Sequence, residues 1–276
     1  MSDDGTQVYI GYAETEITPP RQLTQEGYEH RGMIGGGNSG VRDPLYAQAL
    51  SVLSVDDEEA ILVTLDVCEY TPTVARRFRE AVAARTGVDE RSILICASHT
   101  HSGPALDTLW GARDVAGPIK ESHDDTMQRY IADLTESLAV IAAESRVARF
   151  PTTIAYTIHT AVLGYNRRVR RNGADEMRFN LVGLPRENPT GPYDADVPVV
   201  VFERRGEAGI DPYLSPAGPE RIVVFNPAFH PVVLGQHSRV ISADYPGAAR
   251  RAISRYLGQG TRAMHVLGAC GDTHPF

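Results

Sequence analysis

Ser92-Ile93-Leu94-Ile95-Cys96-Ala97-Ser98-His99-Thr100-His101-Ser102-Gly103-Pro104 is the stretch whose context sets the fold. Its first six residues form an apolar run that reads as a buried strand, and the rest reads as the turn into which that strand runs out. Upstream, Thr71-Pro72 opens a helix with proline at its first position. Val74, Phe78 and Val82 mark its apolar stripe, and Gly87 closes it. Before that helix, residues 45–55 and 60–67 read as a strand pair joined by the acidic turn Asp56-Asp57-Glu58-Glu59. A strand, a helix and another strand in succession imply a parallel pair with a crossover helix. The expectation is an α/β protein, with a mixed β-sheet core flanked by helices.

Working outward, Val8 to Ala13 reads as a first strand ending at Ile17-Thr18-Pro19-Pro20. Residues 21–44 read as a long loop around Gly35-Gly36-Gly37-Asn38-Ser39-Gly40. No G-K-[ST] follows the glycines, so this is not a phosphate loop. A second helix is expected from His123 to Glu144, with Met127, Ile131, Leu134, Leu138 and Ile141 at helical spacing. Strands are expected at 152–162, 197–203, 221–226 and 263–267, with a polar loop from Asn166-Arg167-Arg168 through Tyr193. A last helix runs from near Asp244 and Pro246 to Leu257. With no internal repeat and no linker, residues 1–276 read as one domain.

The chain has 276 residues, 42% hydrophobic and 22% charged, enough for a sizeable core in an ordinary globular protein. Its net charge of -8 argues against nucleic acid and anionic membrane surfaces as partners. The one basic knot, Arg167, Arg168, Arg170 and Arg171, reads as a solvated loop or a local anion or carbonyl contact. Cys68, Cys96 and Cys270 form no C-x-x-C pair, and an odd number cannot make a complete disulfide framework. They read as small buried hydrophobes in a reducing compartment. The start, Met1 to Val8, lacks the basic and apolar regions of a signal peptide, and no run approaches a transmembrane span. The expected location is cytoplasmic, or secreted if the true N-terminus is missing.

His99 and His101 lie where a strand ends, the place where open α/β sheets bind ligands. At i and i+2 on extended chain both rings face one side, and neutral imidazole is the commonest metal ligand near neutral pH. A turn with two hydrogen-bonded histidines is an equal reading of this pair alone. Two further strand ends carry the same residue type. Arg221 to Phe225 leads into Asn226-Pro227-Ala228-Phe229-His230-Pro231, and Met264 to Leu267 leads through Cys270-Gly271-Asp272 to His274. Three such ends fit one metal site assembled from distant segments. His30, His123, His159, His237 and His265 show no partner pattern, and His265 reads as a core residue. Glu14, Glu16 and Asp43 read as surface or turn acids.

Taken together, the chain resembles the N-terminal catalytic domain of the neutral/alkaline, non-lysosomal ceramidase family. Gly11-Tyr12-Ala13-Glu14-Thr15-Glu16-Ile17-Thr18-Pro19 is similar to that family's opening strand and turn, and Val41 to Leu50 to its second segment. Ser98-His99-Thr100-His101-Ser102-Gly103-Pro104 matches its T-H-T-H-S-G-P signature. Asn166-Arg167, Gly191-Pro192-Tyr193-Asp194, Phe229-His230 with Ile241 to Gly247, and Leu267 to Pro275 resemble further blocks, in order along the chain. The resemblance implies hydrolysis of an N-acylsphingosine amide with one zinc ion, Zn2+. It implies His99 and His230 as zinc ligands. It implies that His101 positions the substrate or the developing charge, that Arg167 contacts the reacting carbonyl region, and that Asn166 binds substrate.

Two departures shape the expected chemistry. Gly268 stands where the family has its nucleophilic serine, so metal-activated water is the expected nucleophile. The family also completes its zinc shell with a glutamate and a tyrosine far downstream, whereas this chain stops at Phe276. The expectation is therefore a domain incomplete at its C-terminus, or a shell filled locally by Asp66, Asp244, Asp272 or His274. Asp244 or Asp272 could instead orient a ligand histidine, with Asp272 joining His101 and Arg167 among the catalytic residues. A lipid amide needs an apolar groove, for which the loop 105–120 offers Leu106, Leu109 and Trp110. The alternatives are an inactive ceramidase-like binding protein, or a metal hydrolase of a different polar or sugar-derived substrate.

Overall fold

The computed structural model describes residues 8–20, 23, 25, 27–28, 38–104, 106, 121–171, 173–179, 191–205, 219–258 and 260–276. Among them the chain runs through β1 (Val8–Glu16), β2 (Gly40–Val41), β3 (Tyr46–Leu53), β4 (Glu59–Leu65), α1 (Pro72–Thr86) and β5 (Ile93–Ala97). It continues through α2 (Glu121–Val147), β6 (Phe150–Thr160), β7 (Gly164–Asn166), β8 (Arg168–Arg171), β9 (Ala174–Met177) and β10 (Asp196–Arg204). It closes with β11 (Arg221–Phe225), β12 (Val240–Ile241), α3 (Asp244–Leu257), β13 (Thr261–His265) and β14 (Thr273–Pro275).

Helix α1 has the ends that its sequence signals. Thr71 caps the first turn by accepting from the Val74 N–H, and Gly87 ends it in the left-handed region. The main sheet has the order β13-β11-β10-β6-β1-β3-β4-β5. Its inner pairs are antiparallel, while β4/β5 and β11/β13 at the two edges are parallel. Each parallel pair is joined through a helix, α1 or α3. The expected α/β class with a mixed sheet is what the chain adopts.

The sheet folds back on itself. Strands β3 and β13 are separated by four strands in the order, yet the Gln48 side chain on β3 donates to the Ala263 carbonyl on β13 at 3.0 Å. The bend lies in β6, which pairs with β1 through residues 150–152 and with β10 through 152–160. Ile10, Tyr12, Leu50, Phe150, Phe202, Ile222 and Met264 fill the space between the two halves. The opposite faces are covered by helices. Ala47, Ala49, Ile61, Val63 and Leu65 pack with residues of α1 and α2, and Val223, Phe225 and Ala263 pack against Ala249 and Ile253 of α3. The methionine-bearing stripe of α2 is buried as its spacing predicts. No helix among the described residues is long and apolar enough to cross a membrane.

The expected polar loop after Asn166 contains two short pairings instead. β8 pairs with β9, setting Arg170 opposite Asp175, and β7 pairs with β14. Three arginines on β8 and two adjacent acids on β9 leave the hairpin without an apolar alternation for a hydrophobic-period reading to find. Asp43 also differs from expectation. Its carboxylate accepts from the Ser242 hydroxyl (2.7 Å) and the Ala243 N–H (3.0 Å), just ahead of α3.

Two predictions follow from the packing. Gly11 faces α2, and a methyl there would collide with the Ser145 carbonyl oxygen and lie 2.9 Å from the Arg149 nitrogen. Backbone cannot yield as a side-chain tip can, so Gly11→Ala should destabilise the fold by about 2 kcal/mol or more, read as a lowered denaturant midpoint. His265 is 1% exposed, with its Nε2 3.2 Å from the Tyr245 hydroxyl oxygen, and burial pushes its imidazole down to about 3. Below the ordinary imidazole value of about 6.5, the unfolded chain binds a proton that the folded chain refuses. Stability should therefore fall as pH drops from about 6.5 towards 3, by up to about 1.4 kcal/mol per pH unit from this group. Unfolding curves for the wild type and His265→Asn at several pH values should show the variant losing that share of the slope.

Candidate metal centre

The turn after β5 is pinned to the chain that follows β4. Ser98 N–H donates to the Leu65 carbonyl and His99 N–H to the Val67 carbonyl. His99 takes a left-handed backbone conformation with φ of 62°, a costly choice for a residue with a side chain. The turn also docks on the other half of the molecule. The Thr100 hydroxyl donates to the Ser242 carbonyl at 2.7 Å, Ser242 N–H to the Ser102 carbonyl at 3.1 Å, and His101 N–H to the Pro231 carbonyl at 3.2 Å.

His230 follows β11 in a loop fixed from three sides. Its own N–H donates to the Thr273 carbonyl, and the Tyr245 hydroxyl donates to the Phe229 carbonyl at 2.7 Å. The Asp244 carboxylate accepts from the Val233, Leu234 and Tyr245 N–H groups. Segments 130 residues apart in sequence thereby meet. The ring centroids of His99, His101 and His230 lie 4.7–4.9 Å from one another.

The ring nitrogens are sorted by their partners. His99 Nδ1 lies 2.8 Å from the Cys68 carbonyl oxygen and His230 Nδ1 lies 3.2 Å from that of Cys270. A carbonyl accepts only, so each Nδ1 carries the proton and each Nε2 keeps a lone pair. The His101 ring is hydrogen-bonded to the Gly27 backbone, a contact that favours its protonated form, and the Tyr28 ring meets it edge-on at 5.0 Å. His101 Nε2 is 3.3 Å from His99 Nε2 and 3.0 Å from His230 Nε2. Zinc–nitrogen bonds of about 2.0–2.1 Å in a tetrahedron separate their nitrogens by about 3.3 Å, so these spacings suit one divalent ion. Burial and the neighbouring imidazoles push His101 down to about 2. Burial and the nearby Arg167 cation push His230 down to about 3. Both are neutral at ordinary pH. A carbonyl on the far nitrogen is the usual partner of a metal-binding histidine.

Two cysteines stand at the same place. Cys68, His99 and His101 form one group of ligand atoms within 4.8 Å of one another, and His99, His230 and Cys270 form another. Both thiols are buried and neither is in a disulfide. Burial pushes the Cys270 thiol up to about 11, against the pull of Arg167. Reading the cysteines as small hydrophobes missed this position. The available signal was that each lies a few residues beyond the end of a sheet strand, Cys68 after β4 and Cys270 after β13.

The other site residues fall into place around this cluster. Arg167 donates through Nε and Nη2 to the Gly271 carbonyl (3.1 and 2.7 Å) and stacks over Phe179 at 5.2 Å. Its N–H donates to the Asp272 carbonyl at 2.7 Å. The Asn166 amide donates to the Asp272 carboxylate (3.2 Å) and the Pro192 carbonyl (2.7 Å), so Asp272 contacts Asn166 rather than a histidine. Asp66, 0% exposed, is ion-paired with Arg250 and stands outside both ligand groups. His274 Nδ1 lies 2.8 Å from the Pro275 carbonyl oxygen, its ring packs on Tyr165, and it too stands outside them. Asp244 spends its carboxylate on backbone N–H groups of the loop after His230, a supporting place rather than a ligand one. Leu106 is wholly buried in the core. Trp110, Leu109, His30, Gly35 to Gly37 and the His123 side chain lie outside the described residues.

Among solved structures, neutral ceramidase from Pseudomonas aeruginosa superposes with a TM-score of 0.70 at 16% identity, covering 99% of this chain. The fold is that of neutral ceramidase. A structure titled "Ceramidase complexed with C2" superposes equally well, with a TM-score of 0.70 at 14% identity over 98% of the chain. The chain spans about 40% of the length of these ceramidase structures. No family model and no curated protein matches the sequence. Within the ceramidase-like fold, Gly268 lies against the loop before His230. A Cβ there would meet the Ala228 Cβ at 3.1 Å and the Pro227 oxygen at 3.2 Å, so the space next to it is already filled.

Gly27 gives a test of the cluster's support. Its φ is 97° and a methyl on it would collide with the His101 ring. Gly27→Ala should displace that ring and, if the cluster takes up a divalent ion such as zinc, weaken that uptake about tenfold or more in calorimetric titration, while the far-ultraviolet dichroism is preserved.

Proposed function

We propose that this protein is a zinc-dependent hydrolase of an amide bond, of the N-acyl kind found in ceramide, using water as the nucleophile. The observation that carries this reading is the convergence of three Nε2 atoms, 3.0 and 3.3 Å apart along the cluster. His99 and His230 would hold the ion, with His101 against it. When bound, zinc polarises a carbonyl and lowers the pKa of a water towards about 7.

The chain's own residues supply the rest. Burial keeps His101 and His230 neutral, so their nitrogens stay available as donors to the ion or acceptors from the substrate. Arg167 is clamped by the Gly271 carbonyl through its guanidinium and by the Asp272 carbonyl through its own N–H, while Asn166 holds the Asp272 carboxylate. It brings a cation close enough to depress His230, which is where charge on a substrate oxygen would develop. One well-placed donor of this kind is worth roughly 3–4 kcal/mol in the transition state. Gly268 carries no hydroxyl and its surroundings are occupied, which supports water over a covalent acyl intermediate. The choice of a lipid amide rests on the ceramidase-like fold.

The experiment pairs metal analysis with turnover. The wild type should bind about one zinc per chain and cleave an N-acylsphingosine, with short acyl amides and esters as comparison substrates. His99→Ala and His230→Ala should each lose most of the zinc and more than about 100-fold in turnover. Full zinc occupancy in both variants would end this reading. Zinc binding without turnover of any of these substrates would make the chain a binding protein of the same fold.

A further inference from the structure

The two ligand groups share His99, and each adds one sulfur. Resting on the zinc reading above, we propose that the Cys270 thiolate is a direct ligand of the ion, completing a set of soft and borderline donors with His99 and His230. No carboxylate among the described residues belongs to either ligand group, and the three acids that the sequence offered are engaged elsewhere. Asp66 is paired with Arg250, Asp244 with backbone N–H groups and Asp272 with Asn166. Sulfur is what the cluster offers in their place.

The geometry separates the two thiols. Cys68 Sγ lies 3.6 Å from His99 Nδ1, the nitrogen already bonded to the Cys68 carbonyl. An ion placed there would have to break that hydrogen bond. Cys270 instead joins His99 and His230, the two rings whose Nδ1 atoms are both tied to carbonyls. Its backbone is locked in a tight turn, with its N–H on the Gly268 carbonyl (2.8 Å) and its own carbonyl accepting from Thr273 N–H (3.0 Å) as well as from His230. The turn presents the sulfur with little freedom to lose on binding.

Binding forms one sulfur–metal bond and releases the thiol proton to solvent, so affinity should rise with pH. Thiolate also biases the site towards zinc and cobalt and away from magnesium and manganese. A thiolate lowers the net charge of the site by one, leaving the Arg167 cation as a larger share of the positive field facing a substrate oxygen.

X-ray absorption of the zinc-loaded wild type tests this directly. One sulfur scatterer at about 2.3 Å, beside nitrogen or oxygen at about 2.0–2.1 Å, is the expected result. Cobalt(II) substitution should give an intense near-ultraviolet sulfur-to-cobalt charge-transfer band that survives in Cys68→Ser and disappears in Cys270→Ser, whose zinc affinity falls about tenfold or more. A loaded wild type showing only nitrogen and oxygen scatterers, or a band that persists in Cys270→Ser, overturns the sulfur ligand and leaves the zinc site standing. A wild type that takes up neither metal overturns both. The absorption measurement needs no variant, so it decides the matter even if Cys270→Ser fails to fold.

Discussion

A buried ion pair between Asp66 and Arg250 governs how the two halves of this molecule meet. Asp66 leaves the end of β4, just ahead of Cys68 and the chain that pins the His99 turn. Arg250 lies on α3, whose first residues hold the His230 loop. Both guanidinium nitrogens reach the carboxylate, which also accepts from the Tyr46 N–H at 2.9 Å. Two buried charges tolerate one another's company and little else. Removing either partner leaves a charge in the interior, a loss of about 3–5 kcal/mol in comparable cases. The inner faces carry the polar layer onward through Gln48, Tyr12 and Glu14 to Arg262. The apolar cluster between the halves supplies attraction without direction, and these polar contacts supply the registration.

The cost of the site is visible in the backbone. His99 and Asp244 are both in the left-handed region without being glycine. Each such residue costs on the order of 1–3 kcal/mol and persists only where its surroundings over-determine it. His99 is held by the Val67 carbonyl on one side and by its ring nitrogen on the other. Asp244 is held by the Ser242 hydroxyl, which in turn donates to Asp43. The two strained residues stand in the two segments that the Thr100–Ser242 and Ser242–Ser102 hydrogen bonds join. One aims an imidazole into the cluster, and the other straps down the loop that brings a second imidazole there.

Most helices and long strands were legible because each carries its own period and end signals. Thr71, Pro72 and Gly87 bracket α1, and the stripe from Met127 to Ile141 marks α2. The runs at β4 and β11 are apolar because each is covered on both faces, whereas β5 at the sheet edge, read as a buried strand, leaves Leu94 59% exposed. The β8–β9 hairpin was not legible, since its charged residues give no apolar alternation. Nor was the part that Cys68 and Cys270 play, because a buried cysteine and a cysteine beside a histidine look alike in one dimension. Asp66 illustrates the reverse error. An acid at a strand end suits a metal ligand, and only the arrival of Arg250 from a distant helix shows where its charge is satisfied.

The sequence by itself determined the local elements, the first parallel β-α-β unit and the three strand ends that carry histidine, because helical caps, hydrophobic period and turn residues act over a few neighbours. Only the tertiary structure decided that the sheet doubles over at β6, that His99, His101 and His230 share one centre, and that two thiols stand beside them. Those outcomes depend on contacts between residues more than a hundred positions apart. Such contacts are selected by the joint burial of two sheet faces and by the pairing of charges inside, quantities that no local window of sequence contains.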